Sequence, residues 1–87
     1  MQGDGETGAA LAGHPDVDKV AFTGSTAAGR KIAATCGELL RPVTLELGGK
    51  SAAILLDDAD LGNFLEGAPM ASMLNNGQAC FNGTRIL

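Results

Sequence analysis

The chain has 87 residues and a formal net charge of −4, because it contains six Lys and Arg and ten Asp and Glu. An acidic chain with no basic stripe lacks the electrostatic footprint of a nucleic-acid-binding protein, and no apolar run approaches the ~20 residues that span a bilayer. With 45% hydrophobic residues and three aromatic side chains, all Phe, a core must consist of Ala, Val, Ile and Leu, which suits alternating strands and helices.

The first half of the chain alternates between helix and strand. Residues 6–13 are small and helix-tolerant, and the His14-Pro15 pair should end that helix. Residues 17–22 predict a strand that enters a buried sheet. Residues 27–36 predict a short helix that ends at Gly37.

Two further strands follow. Residues 43–47 have a period of two, so that three apolar side chains share one face while Thr44 and Glu46 share the other. Residues 51–56 are apolar throughout, which is typical of a strand covered on both sides.

The last part of the chain predicts a helix and a final strand. Apolar residues at helical spacing predict a helix over residues 61–74, and Pro69 should kink it or split it. Residues 84–87 have the character of a strand that has just begun. The alternation of elements predicts an α/β fold with a mostly parallel sheet and flanking helices. Neither end coincides with a complete unit, so we expect a piece of a longer protein.

A glycine-rich stretch near the amino terminus matches a dinucleotide-binding pattern in letters only. Residues 3–8 read G-x-G-x-x-G, but that fingerprint requires a strand before it and an acidic residue about twenty positions later. We interpret the stretch as a Gly-rich turn that enters a helix.

A second glycine-rich stretch is a better candidate for phosphate binding. Gly24, Ser25 and Thr26 follow a predicted strand and open a predicted helix that contains Gly29. Free N–H groups and the positive end of a helix attract anions. The alternative is a Ser or Thr helix cap that binds no ligand.

Two side chains could carry covalent chemistry. Glu46 points away from the Leu face of its strand and is followed by two glycines, which leave room for water or a substrate. Cys80 ends the helical stretch 75–80, where a thiol could attack a carbonyl carbon and Glu46 could activate water. The alternatives are an exposed Glu46 paired with a lysine such as Lys50, and a buried structural Cys80.

The remaining reactive side chains give no such signal. We interpret Cys36 as a structural thiol and His14 as a residue that favours a helix end. The sequence has one histidine and no pair of Cys or His at the spacing of metal ligands, so we expect no metal site. The amino terminus lacks the features of a secretion signal, so we expect a cytoplasmic protein with free thiols, with a Cys36–Cys80 bridge as the alternative.

Three segments, in this order, resemble the signature stretches of the aldehyde dehydrogenase family: FTGST at 22–26, continuing to Gly29, LELGGK at 45–50, and NNGQAC at 75–80. The resemblance implies that the first segment, with Gly24, Ser25, Thr26 and Gly29, binds NAD or NADP. It also implies that Cys80 is the nucleophile and that Glu46 is the general base for the deacylating water.

The resemblance further implies the place of the chain in a larger enzyme. Residues 1–47 would be the carboxyl-terminal part of a dinucleotide-binding domain and residues 48–87 the amino-terminal part of a catalytic domain. The whole protein, a homo-oligomer, would oxidise a small-molecule aldehyde to a carboxylic acid through a cysteine thiohemiacetal and thioester.

Two alternatives remain open. A coenzyme A-acylating relative is the first, although it needs no water-activating base such as Glu46. The second is that the isolated chain is an inactive fragment, or a weak dinucleotide-binding or interaction module.

Overall fold

The structure, a computed structural model, describes residues 2–87. The chain divides into two compact units, one that ends at Gly48 and one that spans Gly49–Leu87. Each unit contains helices and one pair of parallel strands, which confirms the prediction of an α/β fold with parallel pairing.

The first unit has the order helix, strand, helix, strand. Its elements are α1 (Gly5–Gly13), β1 (Val20–Gly24), α2 (Thr26–Glu38) and β2 (Val43–Leu47). Strands β1 and β2 pair in parallel, with Val20 opposite Val43 and Gly24 opposite Leu47. Strand β2 has the predicted bounds. Strand β1 begins later than predicted because Val17 still belongs to the turn after α1, where its N–H donates to the His14 carbonyl at 3.1 Å.

Side-chain oxygens cap both helices of this unit. Asp4 caps α1, accepting from the N–H groups of Glu6 and Thr7 at 3.1 Å each, so the glycine-rich stretch is a turn that enters a helix, as predicted. The N–H of Thr7, together with its hydroxyl, holds the pKa of the Asp4 carboxyl below its ordinary value. Ser25 caps α2, where its Oγ accepts from the Ala28 N–H at 3.2 Å.

The prediction that α2 ends at Gly37 is wrong. The helix runs to Glu38, and Leu40 takes the left-handed conformation with φ of 51°. The Leu40 N–H donates to the Gly37 carbonyl at 3.1 Å and the Arg41 N–H to the Cys36 carbonyl at 2.8 Å. These bonds satisfy carbonyls at the helix end, and Leu40 accepts the conformation that glycine usually supplies.

Small residues allow close packing within this unit. Cys36 is fully buried and Ala12 is 6% exposed. Gly29 is buried, and an added Cβ there would lie 2.5 Å from Cδ2 of Leu47, so α2 covers the apolar face of β2. The guanidinium of Arg41 donates to the carbonyls of Ala12 and His14, joining the α2–β2 connection to the end of α1.

The second unit contains β3 (Ala52–Ala53), α3 (Leu61–Ser72), a short 3₁₀ turn (Leu74–Gly77) and β4 (Arg85–Ile86). Strand β3 is shorter than the predicted 51–56, although hydrogen bonds to the last residues continue to Leu55, whose N–H donates to the Leu87 carbonyl at 2.9 Å. Pro69 lies within α3 and does not split it.

In the part of the chain that the structure covers, no helix has the length and apolar character needed to cross a membrane.

Candidate active site

The predicted phosphate-binding turn lies at the carboxyl end of β1. Gly24 is the last residue of β1, Ser25 caps α2 and Thr26 begins α2. Within residues 2–87 no acceptor lies opposite the N–H groups of Thr26 and Ala27. These two donors, at the positive end of a 13-residue helix, form an arrangement that can bind an anion.

An open groove of about 960 Å³ adjoins this turn, between α1, β1 and α2. Its walls include Gly5, Gly8, Ala9, Val20, Ser25 and Ile32. Sequence reasoning gave the glycines of residues 3–8 no binding role, but Gly5 and Gly8 line the groove. A signal was available, because small residues at 5, 8, 9 and 12 share one helix face at spacings of three and four.

Gly29 has a clear packing role. It is buried one turn into α2, and its missing side chain leaves room for both Cδ atoms of Leu47. The structure therefore explains this glycine by the approach of α2 to β2. Contact between Gly29 and a cofactor stays a prediction.

Glu46 lies at the same edge of the sheet as the phosphate-binding turn. It occupies the fourth position of β2, in register with Thr23, and the next pair in the ladder joins Gly24 and Leu47. The side chain is exposed, while Leu45 and Leu47 are half-buried on the other face. Two glycines follow, and a Cβ at Gly48 would meet no atom within 4 Å. Lys50, its alternative partner, donates instead to the Gly49 carbonyl at 3.2 Å.

Cys80 belongs to the second unit and lies in a loop. The prediction that it ends a helical stretch is wrong, because the 3₁₀ turn stops at Gly77 and Cys80 lies in a turn closed by the Asn82 N–H and the Ala79 carbonyl at 3.2 Å. The thiol is free and exposed. Within residues 2–87 the Cys80 N–H has no acceptor. An exposed thiol with a free main-chain donor beside it suits attack on a carbonyl.

Asn82 is a polar residue of this loop that sequence reasoning missed. Its side chain is 1% exposed, and its Nδ2 donates to the Leu74 carbonyl at 3.0 Å. Its Oδ1 is buried and has no partner among the described atoms. No signal in the sequence marked it, since an Asn before a Gly is typical of an exposed turn.

Cys36 is buried, as expected for a structural thiol, and His14 occupies the position directly after α1. Cys36 is fully buried and free. The His14 N–H donates to the Leu11 carbonyl at the end of α1. The described residues contain no group of three His, Cys, Asp or Glu that could hold a metal ion.

The first unit is therefore an α/β unit whose parallel strands place a turn with free N–H groups and a carboxylate at one edge of the sheet, and the second unit carries an exposed thiol. The sequence pattern described as the aldehyde dehydrogenase family matches residues 1–87. The chain is 68% identical over 87 residues to the geranial dehydrogenase of Castellaniella defragrans, covering 100% of this chain and 18% of that protein. It is 51% identical over 86 residues to human 4-trimethylaminobutyraldehyde dehydrogenase, covering 99% of this chain and 17% of that protein.

The structural comparison agrees with the sequence comparison. An aldehyde dehydrogenase from Bacillus cereus, solved as an NAD+ complex, superposes with a TM-score of 0.88 at 50% identity, covering 97% of this chain and 17% of that one. The chain belongs to the aldehyde dehydrogenase family. It spans about 18% of the length of the geranial dehydrogenase that it matches.

Proposed function

We propose that the whole protein oxidises an aldehyde to a carboxylic acid with NAD or NADP. Residues up to 47 would complete its dinucleotide-binding domain, and residues from 48 would begin its catalytic domain. Family membership supports the reaction class. The observation that carries the proposal within this chain is the parallel register of β1 and β2, which brings Glu46 to the sheet edge that holds the Ser25 turn.

The cofactor would lie along the first unit. The free N–H groups of Thr26 and Ala27 suit its pyrophosphate, and the adjoining apolar groove suits a flat nucleotide base. Gly24 has no side chain to obstruct the turn. When bound, the dinucleotide supplies the hydride acceptor of the reaction.

The covalent steps would be carried by Cys80. As a thiolate it attacks the aldehyde carbon, and its backbone N–H donates to the oxyanion of the thiohemiacetal that forms. Loss of a hydride leaves a thioester on the same sulfur. The exposed, unpaired thiol and the free N–H support this assignment.

Glu46 would complete the cycle as a general base. Its carboxylate takes a proton from water, the resulting hydroxide attacks the thioester carbon, and the acid leaves as the Cys80 thiolate is regenerated. The exposed carboxylate and the open space beside Gly48 support access of water. This mechanism requires Glu46 and Cys80 to face one cleft in the whole enzyme.

Substitution of the two catalytic side chains tests the proposal. In the whole protein, C80S should lower aldehyde-dependent NADH formation below roughly one thousandth of the wild-type rate, since it removes the nucleophile. E46Q should still form one equivalent of NADH and then stall as an acyl-enzyme, which mass spectrometry detects as a mass gain on Cys80. Full steady-state activity of either variant would refute the role of that residue.

The two alternative functions predict different experimental results. If the enzyme transfers its acyl group to coenzyme A, E46Q should turn over at the wild-type rate when coenzyme A is present and acyl-coenzyme A should accumulate. Hydrolysis remains the favoured route because Glu46 stands exposed at the sheet edge. The isolated 87 residues would be inactive or a weak dinucleotide-binding or interaction module.

A further inference from the structure

Hydrogen bonds at its base hold the loop that carries Cys80. This Cys80 loop comprises residues 74–82, and at its base the Asn82 Nδ2 donates to the Leu74 carbonyl at 3.0 Å while the Gly83 N–H donates to the Ala71 carbonyl at 2.9 Å. Between these points residues 75–78, Cys80 and Phe81 are exposed. Within its own unit the loop is therefore positioned by polar contacts at its ends.

The Cys80 loop begins with a left-handed turn. Asn75, Asn76 and Gly77 have φ of 55°, 56° and 77°, three consecutive residues in the left-handed region. Residues other than glycine rarely adopt this conformation and do so where surrounding contacts hold them. The Leu74 carbonyl that accepts from Asn82 comes directly before this turn.

The Asn82 carboxamide thus joins two parts of the loop that are distant in sequence. One is the start of the left-handed turn and the other is the residue two positions after the thiol. The residue is 1% exposed. A buried amide with one unpartnered oxygen is costly to keep, which points to a positional requirement at this site.

We propose that Asn82 is a positioning residue for the Cys80 thiol. By holding the Leu74 carbonyl, its Nδ2 fixes the path of the loop and hence the place of the sulfur and of the Cys80 N–H. The inference rests on the proposed function, because it assigns Asn82 to the step in which Cys80 attacks the aldehyde. It predicts that the loss of this one donor slows acylation in folded enzyme.

Single-turnover kinetics of the whole protein test the inference. N82A removes the carboxamide, and N82D keeps its shape but replaces the donor with an acceptor. Both variants should form NADH in the first turnover roughly 10- to 100-fold more slowly, because small displacements of a reacting group have effects of that size. The KM for the dinucleotide should not change, since its proposed contacts lie in the first unit. N63A is the matched control, because the exposed Asn63 also donates its Nδ2, to Asp60 at 3.1 Å.

A second measurement distinguishes a displaced Cys80 thiol from a loss of folding. Brief treatment with iodoacetamide, read by mass spectrometry, reports the fold, because folded enzyme should be alkylated at the exposed Cys80 and not at the buried Cys36. This pattern should be the same in wild type, N82A, N82D and N63A. Alkylation of Cys36 in both Asn82 variants would show a loss of folding in place of a displaced thiol and would overturn the inference, as would a wild-type first-turnover rate in either variant. Activity retained by C80S would instead refute the proposed function, so the two failures are distinguishable.

Discussion

Gly29 shows how one missing side chain sets the distance between two elements. A Cβ at this position would lie 2.5 Å from one Leu47 methyl carbon and 3.0 Å from the other. Gly37, in the same helix, offers a contrast, because a Cβ there would meet nothing within 4 Å. Alanine substitutions at Gly29 and Gly37 therefore separate the energetic cost of packing against Leu47 from the gain in helix propensity.

We predict that G29A is less stable than G37A in the whole protein. Overpacking costs about 1–3 kcal/mol, whereas Ala in place of Gly within a helix is favourable by up to about 1 kcal/mol in both variants. Urea unfolding measures the difference. Equal midpoints for the two variants would show that Leu47 moves aside freely and that the close approach carries no energy.

Asn75 and Asn76 lie in a turn that the sequence did not predict. The sequence analysis predicted that residues 75–80 form a helical stretch that ends at Cys80. The backbone instead turns left-handed at Asn75. Asn tolerates this region better than most residues, but Asn is also common in other turns, so its presence alone does not reveal where the backbone becomes left-handed.

At the scale of elements, Arg41 joins parts of the first unit that are far apart in sequence. Its guanidinium donates to the carbonyls at the end of α1, while its backbone N–H donates to the Cys36 carbonyl at the end of α2. One residue therefore satisfies acceptors at the ends of two helices. Hydrogen bonds that involve a charged group contribute more than neutral ones.

We predict that R41A lowers the free energy of unfolding by about 1.5–3 kcal/mol. Exposed Arg30 in α2 is the control, and R30A should change stability by less than about 0.5 kcal/mol. Thermal unfolding followed by circular dichroism makes the comparison. A stability loss in R30A as large as that in R41A would show that charge, rather than the two carbonyl contacts, is responsible.

The elements that were predicted well are those with a local signal. Strand β2 was predicted with its observed bounds because alternation over Val43–Leu47 is a property of those five residues. Strand β3 was overextended because its length depends on a partner more than thirty positions away. Helix α3 continues past Pro69 to Ser72, so Pro69 does not split it, and the kink stays a prediction. Gly37 lies within α2, and Leu40 takes the left-handed conformation beyond the helix.

The candidate site was predicted in part for the same reason. The Ser25 turn and Glu46 follow from a strand pattern, and their placement at one edge follows from parallel pairing. Asn82 could not be predicted, because its burial depends on how distant residues pack. The helix face of α1 that lines the groove did leave a signal, in the spacing of its small residues.

At the scale of the whole molecule, residues 2–87 contain little buried apolar surface. Among the described residues, Ala12 and Cys36 are the buried hydrophobic ones, whereas large side chains such as Leu56, Met70 and Phe81 are exposed. Two-stranded sheets are marginal without further strands, and exposed apolar surface and free strand edges favour association.

We predict that the isolated polypeptide associates and shows no NAD-dependent aldehyde oxidation. Sedimentation velocity should show oligomers or aggregates, and NADH absorbance should rise no faster than with an isolated chain that carries C80S. A monomeric chain that unfolds cooperatively and oxidises aldehyde in a Cys80-dependent manner would contradict this expectation.

The pairing of Thr23 with Glu46 also limits how this segment can change in length. Because neighbouring residues of a strand point to opposite faces, deletion of one residue from the first part of β2 would turn the carboxylate toward α2 and expose the leucines. The connection before Val43 is under no such parity rule, since loop length alters closure entropy only slowly. Insertions and deletions in evolution should therefore be tolerated better in the link between α2 and β2 than in the strand. In the strand, a change of one residue would move the buried side chains to the solvent-exposed face and the exposed ones to the buried face.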